Sequence, residues 1–255
     1  MSTWDPSQYS KFTDARTRPA VELLARVPLD SPSRVVDLGC GPGNSTELLQ
    51  QRWPGAFIKG VDNSRDMLET ARKAHPDWVW EESDIATWTA EESLDLIFSN
   101  AALHWLPHHE TLLPRLLNQL AEGGVLAVQM PCNFDAPAHR LIRQTATDGP
   151  WQDILAEVDE WNPPLEPAGY YAILAPRCRD VDIWETEYAQ VMDSIAAIAE
   201  WTRGSALRPF LDRLPEADQH EFLARYTEAL QAAYAPQSDG RVLFPFKRIF
   251  LVAQR

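Results

Sequence analysis

The stretch "VVDLGCGPGNSTELL", residues 35–49, decides the fold. A β-branched run ends at Asp37, glycines follow at 39, 41 and 43, and a helical pattern begins near Asn44. Glycine lets backbone approach a ligand closely and take positive φ. The helix behind such a loop presents amides that have no intrahelical partner. Asn44 and Glu47 have the spacing of a capping box, with Asn in the place of Ser or Thr. The glycines read GxGxG. A dinucleotide fingerprint would need its third glycine at Asn44, so the spacing opposes a nicotinamide-dependent oxidoreductase. A tight strand–helix turn without a ligand accounts for the glycines taken alone.

Outward from this loop, short apolar runs alternate with helical periodicity. Residues 34–40, 57–62, 78–84, 94–100 and 124–130 read as five strands with helices between them. This order predicts a parallel sheet covered on both faces. Leu112, Leu113, Leu116, Leu117 and Leu120 form a helical stripe that Gly123 closes as a cap, with Pro114 tolerated only in the first turn. Residues 132–180 break the rhythm with "GPW", "NPP" and "APR", and read as short helices and loops. A strand over 181–192, helices over 194–235 and a last strand over 242–254 complete the chain. Two more acids stand at strand ends. Asp62 follows Gly43 by 19 residues, where a carboxylate takes ribose hydroxyls, and Asp84 lies in "ESDI".

Composition narrows the function. A net charge of −14 over 255 residues argues against nucleic acid as partner, while leaving room for a small anion in a local pocket. Cys40, Cys132 and Cys178 are far apart and lack CxxC spacing, so neither a disulfide frame nor a metal site is indicated. The first residues carry no signal-peptide pattern, and no apolar run approaches a membrane span. The expectation is a cytoplasmic protein with no membrane association and no obligate protein partner.

An acid followed by GxGxG, with acids after the next two strands, resembles the class I S-adenosylmethionine-dependent methyltransferases. The resemblance implies a Rossmann-like α/β fold: a mostly parallel seven-stranded sheet, helices on both faces, an antiparallel C-terminal strand and helical insertions. It implies S-adenosyl-L-methionine as cofactor, held by Asp37, Gly39, Cys40, Gly41, Gly43, Asn44, Asp62 and Asn63, with Asp84 and the Ile85 amide at adenine and Asn100 near the methionine moiety. A single domain over 1–255 is expected, with a lid over 1–30, a cofactor core over 31–131, substrate-side insertions over 132–180 and 193–240, and a final strand over 241–255.

Three further blocks, "WDPSQYSKFTDARTRPAVELL", "NAALHWLPHH" and "WTRGSALRPFLDRL", extend the resemblance to the trans-aconitate methyltransferases, which esterify a small tricarboxylate. An ionised carboxylate, with its ordinary pKa near ~4, attacks a methyl group without first losing a proton. No catalytic residue is therefore required, and in-line positioning supplies the acceleration. The expected acid-binding residues are Tyr9, Arg18, His104, Trp105, Tyr170, Tyr171, Arg203 and Arg208. Arg16 and Trp4 are further candidates. For these arginines, surface ion pairs with the abundant acids are the competing reading. His104 is open between a positioning donor and a structural histidine. An amine, phenol or carbon acceptor, with His104 as base, is the alternative chemistry. His108 and His109 read as an exposed helix start.

Overall fold

The computed structural model describes residues 13–156, 158 and 163–255, with the side chains of 13–16 set apart. The seven strands are β1 (Arg34–Leu38), β2 (Phe57–Asp62), β3 (Val79–Glu82), β4 (Leu94–Asn100), β5 (Leu120–Pro131), β6 (Asp180–Met192) and β7 (Val242–Gln254). They form one sheet in the order β3-β2-β1-β4-β5-β7-β6. β1 to β5 pair in parallel, while β7 runs antiparallel to both β5 and β6. Order reverses between β1 and β4, and in open α/β sheets the crevice at such a reversal takes the ligand.

β4 shows why the central strands form. Its run "LDLIFSN" is buried almost throughout, as a strand with both faces covered must be. Leu96 and Phe98 face one apolar cluster, joined by Leu23 and Leu24 of helix α1 (Thr13–Ala25) and Leu49 of α2 (Asn44–Arg52). Ile97 faces the other, which holds Leu112, Leu113, Leu116 and Leu117 of α4 (His109–Leu117). Between them in sequence lies α3 (Arg65–Ala74). The described part of the expected lid is therefore packed: Ala20, Leu23, Leu24 and Val27 are buried beside β1 and β4.

Three local readings are corrected. Leu120 opens β5 instead of ending α4, and Gly123, at φ 77°, lies inside β5 instead of capping the helix. Pro114 sits beyond the first turn of α4, whose start follows His108 in a left-handed conformation. The Asn44–Glu47 box does not form. Gly43 is the N-cap of α2 and offers no side chain.

A third apolar cluster lies off the sheet. It gathers α5 (Pro137–Thr147), α6 (Gln152–Leu155), α8 (Ile195–Arg203), α9 (Arg208–Leu211) and α10 (Glu216–Ala233) around Trp151, Trp201, Phe222, Tyr226 and Leu230. Helix α7 (Pro167–Leu174) packs on the sheet through Tyr170 and Leu174. β7 serves both regions. Val242, Phe244 and Phe246 enter the helical cluster, and Ile249 and Leu251 the sheet core.

Candidate active site

The glycine loop is shaped by contacts from β2 and from the turn after β4. The amides of Gly39 and Cys40 both donate to the Val61 carbonyl, at 2.7 and 3.1 Å. Gly39 has φ 75°, and a Cβ there would lie 2.1 Å from that of Ala102, so conformation and space both demand glycine. At Gly41, φ 54°, an added Cβ would meet nothing within 4 Å, because the loop faces open room. Below the loop, Ser45 Oγ and Thr46 Oγ1 each donate to Asp37 Oδ2 at 2.7 Å. These bonds tie the first turn of α2 to the end of β1. Burial pushes the Asp37 carboxyl up to about 6; the two hydroxyls oppose the rise and the nearby Asp62 charge adds to it.

Above the loop opens a cavity of about 510 Å³. Its floor is Gly39, Cys40, Gly41, Pro42, Asn44 and Ser45; Asp37 and Gly43 stand behind the wall. Asp62 and Asn63 enter from the end of β2, Asp84 and Ile85 from beyond β3, and Asn100 from the tip of β4. Asp62 Oδ2 accepts from the Gly41 amide at 2.9 Å and Oδ1 from the Ser64 amide at 2.8 Å. Burial raises its carboxyl pKa, and those amide bonds restrain the rise. Asp84 Oδ1 accepts from Ala86 at 2.8 Å, which holds the turn after β3 in place. Ala101 leaves β4 at φ 55°, a conformation uncommon for a residue with a Cβ, and its amide donates to the Gln129 carbonyl at 2.8 Å. Asn100 Oδ1 is buried without a hydrogen-bond partner among the described residues. An orphaned acceptor there suits an ammonium, and the room over Gly41 with two carboxylates beyond suits a nucleoside. The wall fits a nucleoside that carries an amino-acid chain, such as S-adenosylmethionine.

Two cationic side chains, with an acid beside them, reach the same cavity from the helical region. Arg208, Pro209, Asp212 and Arg213 line it from α9 and the turn that follows, with Thr17 and Ala20 of α1. The Arg208 side chain is 14% exposed, its Nε 3.4 Å from Asp212 Oδ2. Arg213 is a further lining residue that its spacing in the sequence does not single out. It lies in the same block as Arg208, but its five-residue offset hides that a one-turn helix brings both to a single wall. Behind Trp105 and Pro209, which line both spaces, is a second cavity of about 330 Å³ containing His104, Asn133 and His139.

Several expected acid ligands stand elsewhere. The Arg203 side chain is 53% exposed, 3.9 Å from Glu200, and lines neither cavity. Arg18 is 67% exposed, donates to Glu22 at 2.8 Å and stacks over Tyr188, also outside both walls. Tyr170 is fully buried, its hydroxyl 2.7 Å from His109 Nδ1, while Tyr171 is 58% exposed on the outer side of α7. His109 is accordingly no exposed helix start: it is buried, with Nε2 2.9 Å from the Leu103 carbonyl. Tyr9, Trp4 and the Arg16 side chain lie outside the described residues. His104 is neutral at ordinary pH. Burial pushes it down to about 3, helped by the positive charge of Arg248 and by His109. Among the described residues no cluster of His, Cys, Asp and Glu could hold a metal ion, and no helix is long and apolar enough to cross a membrane.

Comparison with known proteins adds an independent view. Residues 35–124 match the model of a methyltransferase domain. The chain is 54% identical to the trans-aconitate 2-methyltransferase of Azoarcus sp. strain BH72, over 100% of both chains. Among solved structures it is similar to the YcgJ protein of Bacillus subtilis, with TM-score 0.62 and 14% identity over 93% of this chain and 98% of that one. It is also similar to the phosphoethanolamine N-methyltransferase 2 of Haemonchus contortus bound to S-adenosylhomocysteine. There the TM-score is 0.57 and identity 15%, over 93% of this chain and 52% of that one. At such identities the structures speak for a shared fold.

Proposed function

Because the chain belongs to the trans-aconitate 2-methyltransferase family, we propose that it esterifies one carboxylate of trans-aconitate with the methyl group of S-adenosyl-L-methionine. The observation that carries the acid assignment is the 54% identity over the whole of both chains. The cofactor, when bound, supplies a methyl carbon on a sulfonium; a C–O bond forms as the C–S bond breaks, and that bond's electron pair stays on sulfur.

The chain's residues bind and orient. Asp62 takes the ribose hydroxyls, Asp84 and the Ile85 amide take adenine, and the orphaned Asn100 Oδ1 accepts from the ammonium of the methionine moiety. Arg208 and Arg213 hold carboxylates that do not react, and a guanidinium fixes a carboxylate in direction as well as in place. Gripping both reacting charges tightly would favour the ground state, because they neutralise each other in the transition state. The arginines therefore serve best on the far arms of the acid. We read the chain as one domain, with the segments 132–180 and 193–240 roofing the acid side.

The rival chemistry, methylation of an amine, phenol or carbon, needs a base. His104, held near 3, is neutral and too weak a base to take a proton efficiently at pH 7. Carboxylate transfer needs none, so the rate should be flat between about pH 6 and 8. The deciding experiment incubates the purified chain with methyl-labelled cofactor and a panel of di- and tricarboxylic acids. Alkali-labile label in trans-aconitate is expected. Label in an alkali-stable product would overturn the reading.

A further inference from the structure

The turn that carries Asp84 and Ile85 into the cofactor cavity is held from behind by a residue outside it. Residues 84–88 make a single turn after β3: the Asp84 carbonyl accepts from the Thr87 and Trp88 amides at 3.0 and 2.8 Å, and the Ala86 amide donates to Asp84 Oδ1 at 2.8 Å. Carbonyls at the far end of so short a turn lack helical amides to receive them, and a buried carbonyl left unpaired is costly. Arg115, on α4, supplies the partners. Its Nη2 donates to the Ile85 carbonyl at 2.6 Å and its Nη1 to the Trp88 carbonyl. Ile85 and Trp88 are themselves buried in the apolar cluster that holds Leu112, Leu113 and Leu116 of the same helix. One planar fork thus reaches two carbonyls of one turn, while its stem leaves from a packed helix. Asp84 and Ile85 line the cavity, whereas Arg115 does not.

We propose that Arg115 is a positioning residue for recognition of the purine edge: by clasping both carbonyls it holds the Asp84 carboxylate and the Ile85 amide in the mutual geometry that an aminopurine requires. This role rests on the reading that these two groups take adenine. Adenine offers a donor, its 6-amino group, beside an acceptor, N1, and the carboxylate and the amide complement them in that order. Hypoxanthine offers a carbonyl and an N–H in the same two places, so both contacts turn unfavourable. Such discrimination needs the protein groups held to within about 0.5 Å, because hydrogen bonds weaken steeply off their line. A turn free to rock would lose it. The two charges also sense each other: burial lowers the pKa of the Arg115 guanidinium, and the Asp84 carboxylate raises it. A cation behind the turn therefore favours a carboxylate held upon it.

The test compares S-adenosylhomocysteine with S-inosylhomocysteine, which differ only at the purine edge, by titration calorimetry on the full chain. The native chain should prefer the adenosyl ligand by about tenfold or more. Arg115→Met keeps the stem and removes both donors. In it, affinity for S-adenosylhomocysteine should fall about tenfold while that for S-inosylhomocysteine stays within about threefold, so the preference largely disappears. Arg115→Lys keeps the charge, but an ammonium is a point donor and does not reproduce the fork. It should lose at least about threefold of the preference, and it decides the matter should the Met variant not fold. If the variants keep the native preference within about twofold, or if both ligands weaken by the same factor, the positioning role is overturned while the adenine reading stands. If the native chain binds the two ligands equally, the adenine reading itself is wrong and the role of Arg115 goes with it.

Discussion

At Asp37 a carboxylate is buried to anchor a helix, and that choice has a cost in charge. Its folded pKa of about 6 stands above the ordinary 3.8, so the folded chain holds the proton more tightly than the unfolded one. The stabilisation from this group is complete below about pH 3.8 and is lost as pH rises through about 6. The difference between native and Asp37→Asn stability should therefore fall by about 2 kcal/mol from pH 4 to pH 7, read by urea unfolding of the cofactor-free chain. A flat difference would sink the assignment. The arginines separate by the same kind of comparison. Arg208→Met should raise KM for the acid about tenfold or more, whereas Arg203→Met should leave it within about twofold, because an exposed ion pair contributes little. The sequence pointed to Arg208 through its block, but could not separate it from Arg203. That distinction depends on α8 ending at Arg203 and on the one-turn α9 facing inward, and neither follows from spacing. The burial of His109 is hidden for a similar reason. Its partner, Tyr170, lies 61 residues away on another helix, so nothing local marks it as buried.

Elements were more legible than their ends. β2 and β4 were readable to the residue, because an apolar run between polar turns defines a central strand on both sides. α4 and β5 were not, because Leu120 continues the leucine stripe of the helix while the chain has already left it for the sheet. The glycine loop was legible as a motif, but the reason for each glycine lay elsewhere. Gly39 is fixed by Ala102, a residue from the turn after β4. Gly39→Ala must strain the backbone and push that turn away, so cofactor affinity should fall at least about tenfold, as measured by calorimetry, with the melting temperature also lowered. Affinity unchanged in this variant would show that the loop and the β4 turn are not one unit. The capping box was a fair inference from Asn44 and Glu47. It failed because a left-handed Gly43 takes the cap position and the hydroxyls of Ser45 and Thr46 are turned back toward Asp37.

Over the whole molecule, two bodies of apolar packing are joined by β7, whose amino-terminal half enters the helical cluster and whose carboxyl-terminal half closes the sheet. Phe222, fully buried against Trp151 and Phe210, lies in the helical cluster and far from the cofactor loop in sequence. Phe222→Ala should destabilise the chain by about 3–5 kcal/mol. Because β7 is shared, that loss should shift far-ultraviolet circular dichroism and tryptophan fluorescence to the same new urea midpoint. Two separated transitions would instead show a roof that melts by itself. β7 also sets an order of events during synthesis. It follows the other six strands in the chain, and between β5 and β6 it is the rung that makes them neighbours. Until it leaves the ribosome, β5 has an open edge and β6 has no strand to pair with, so the sheet can close only after the last strand has been made.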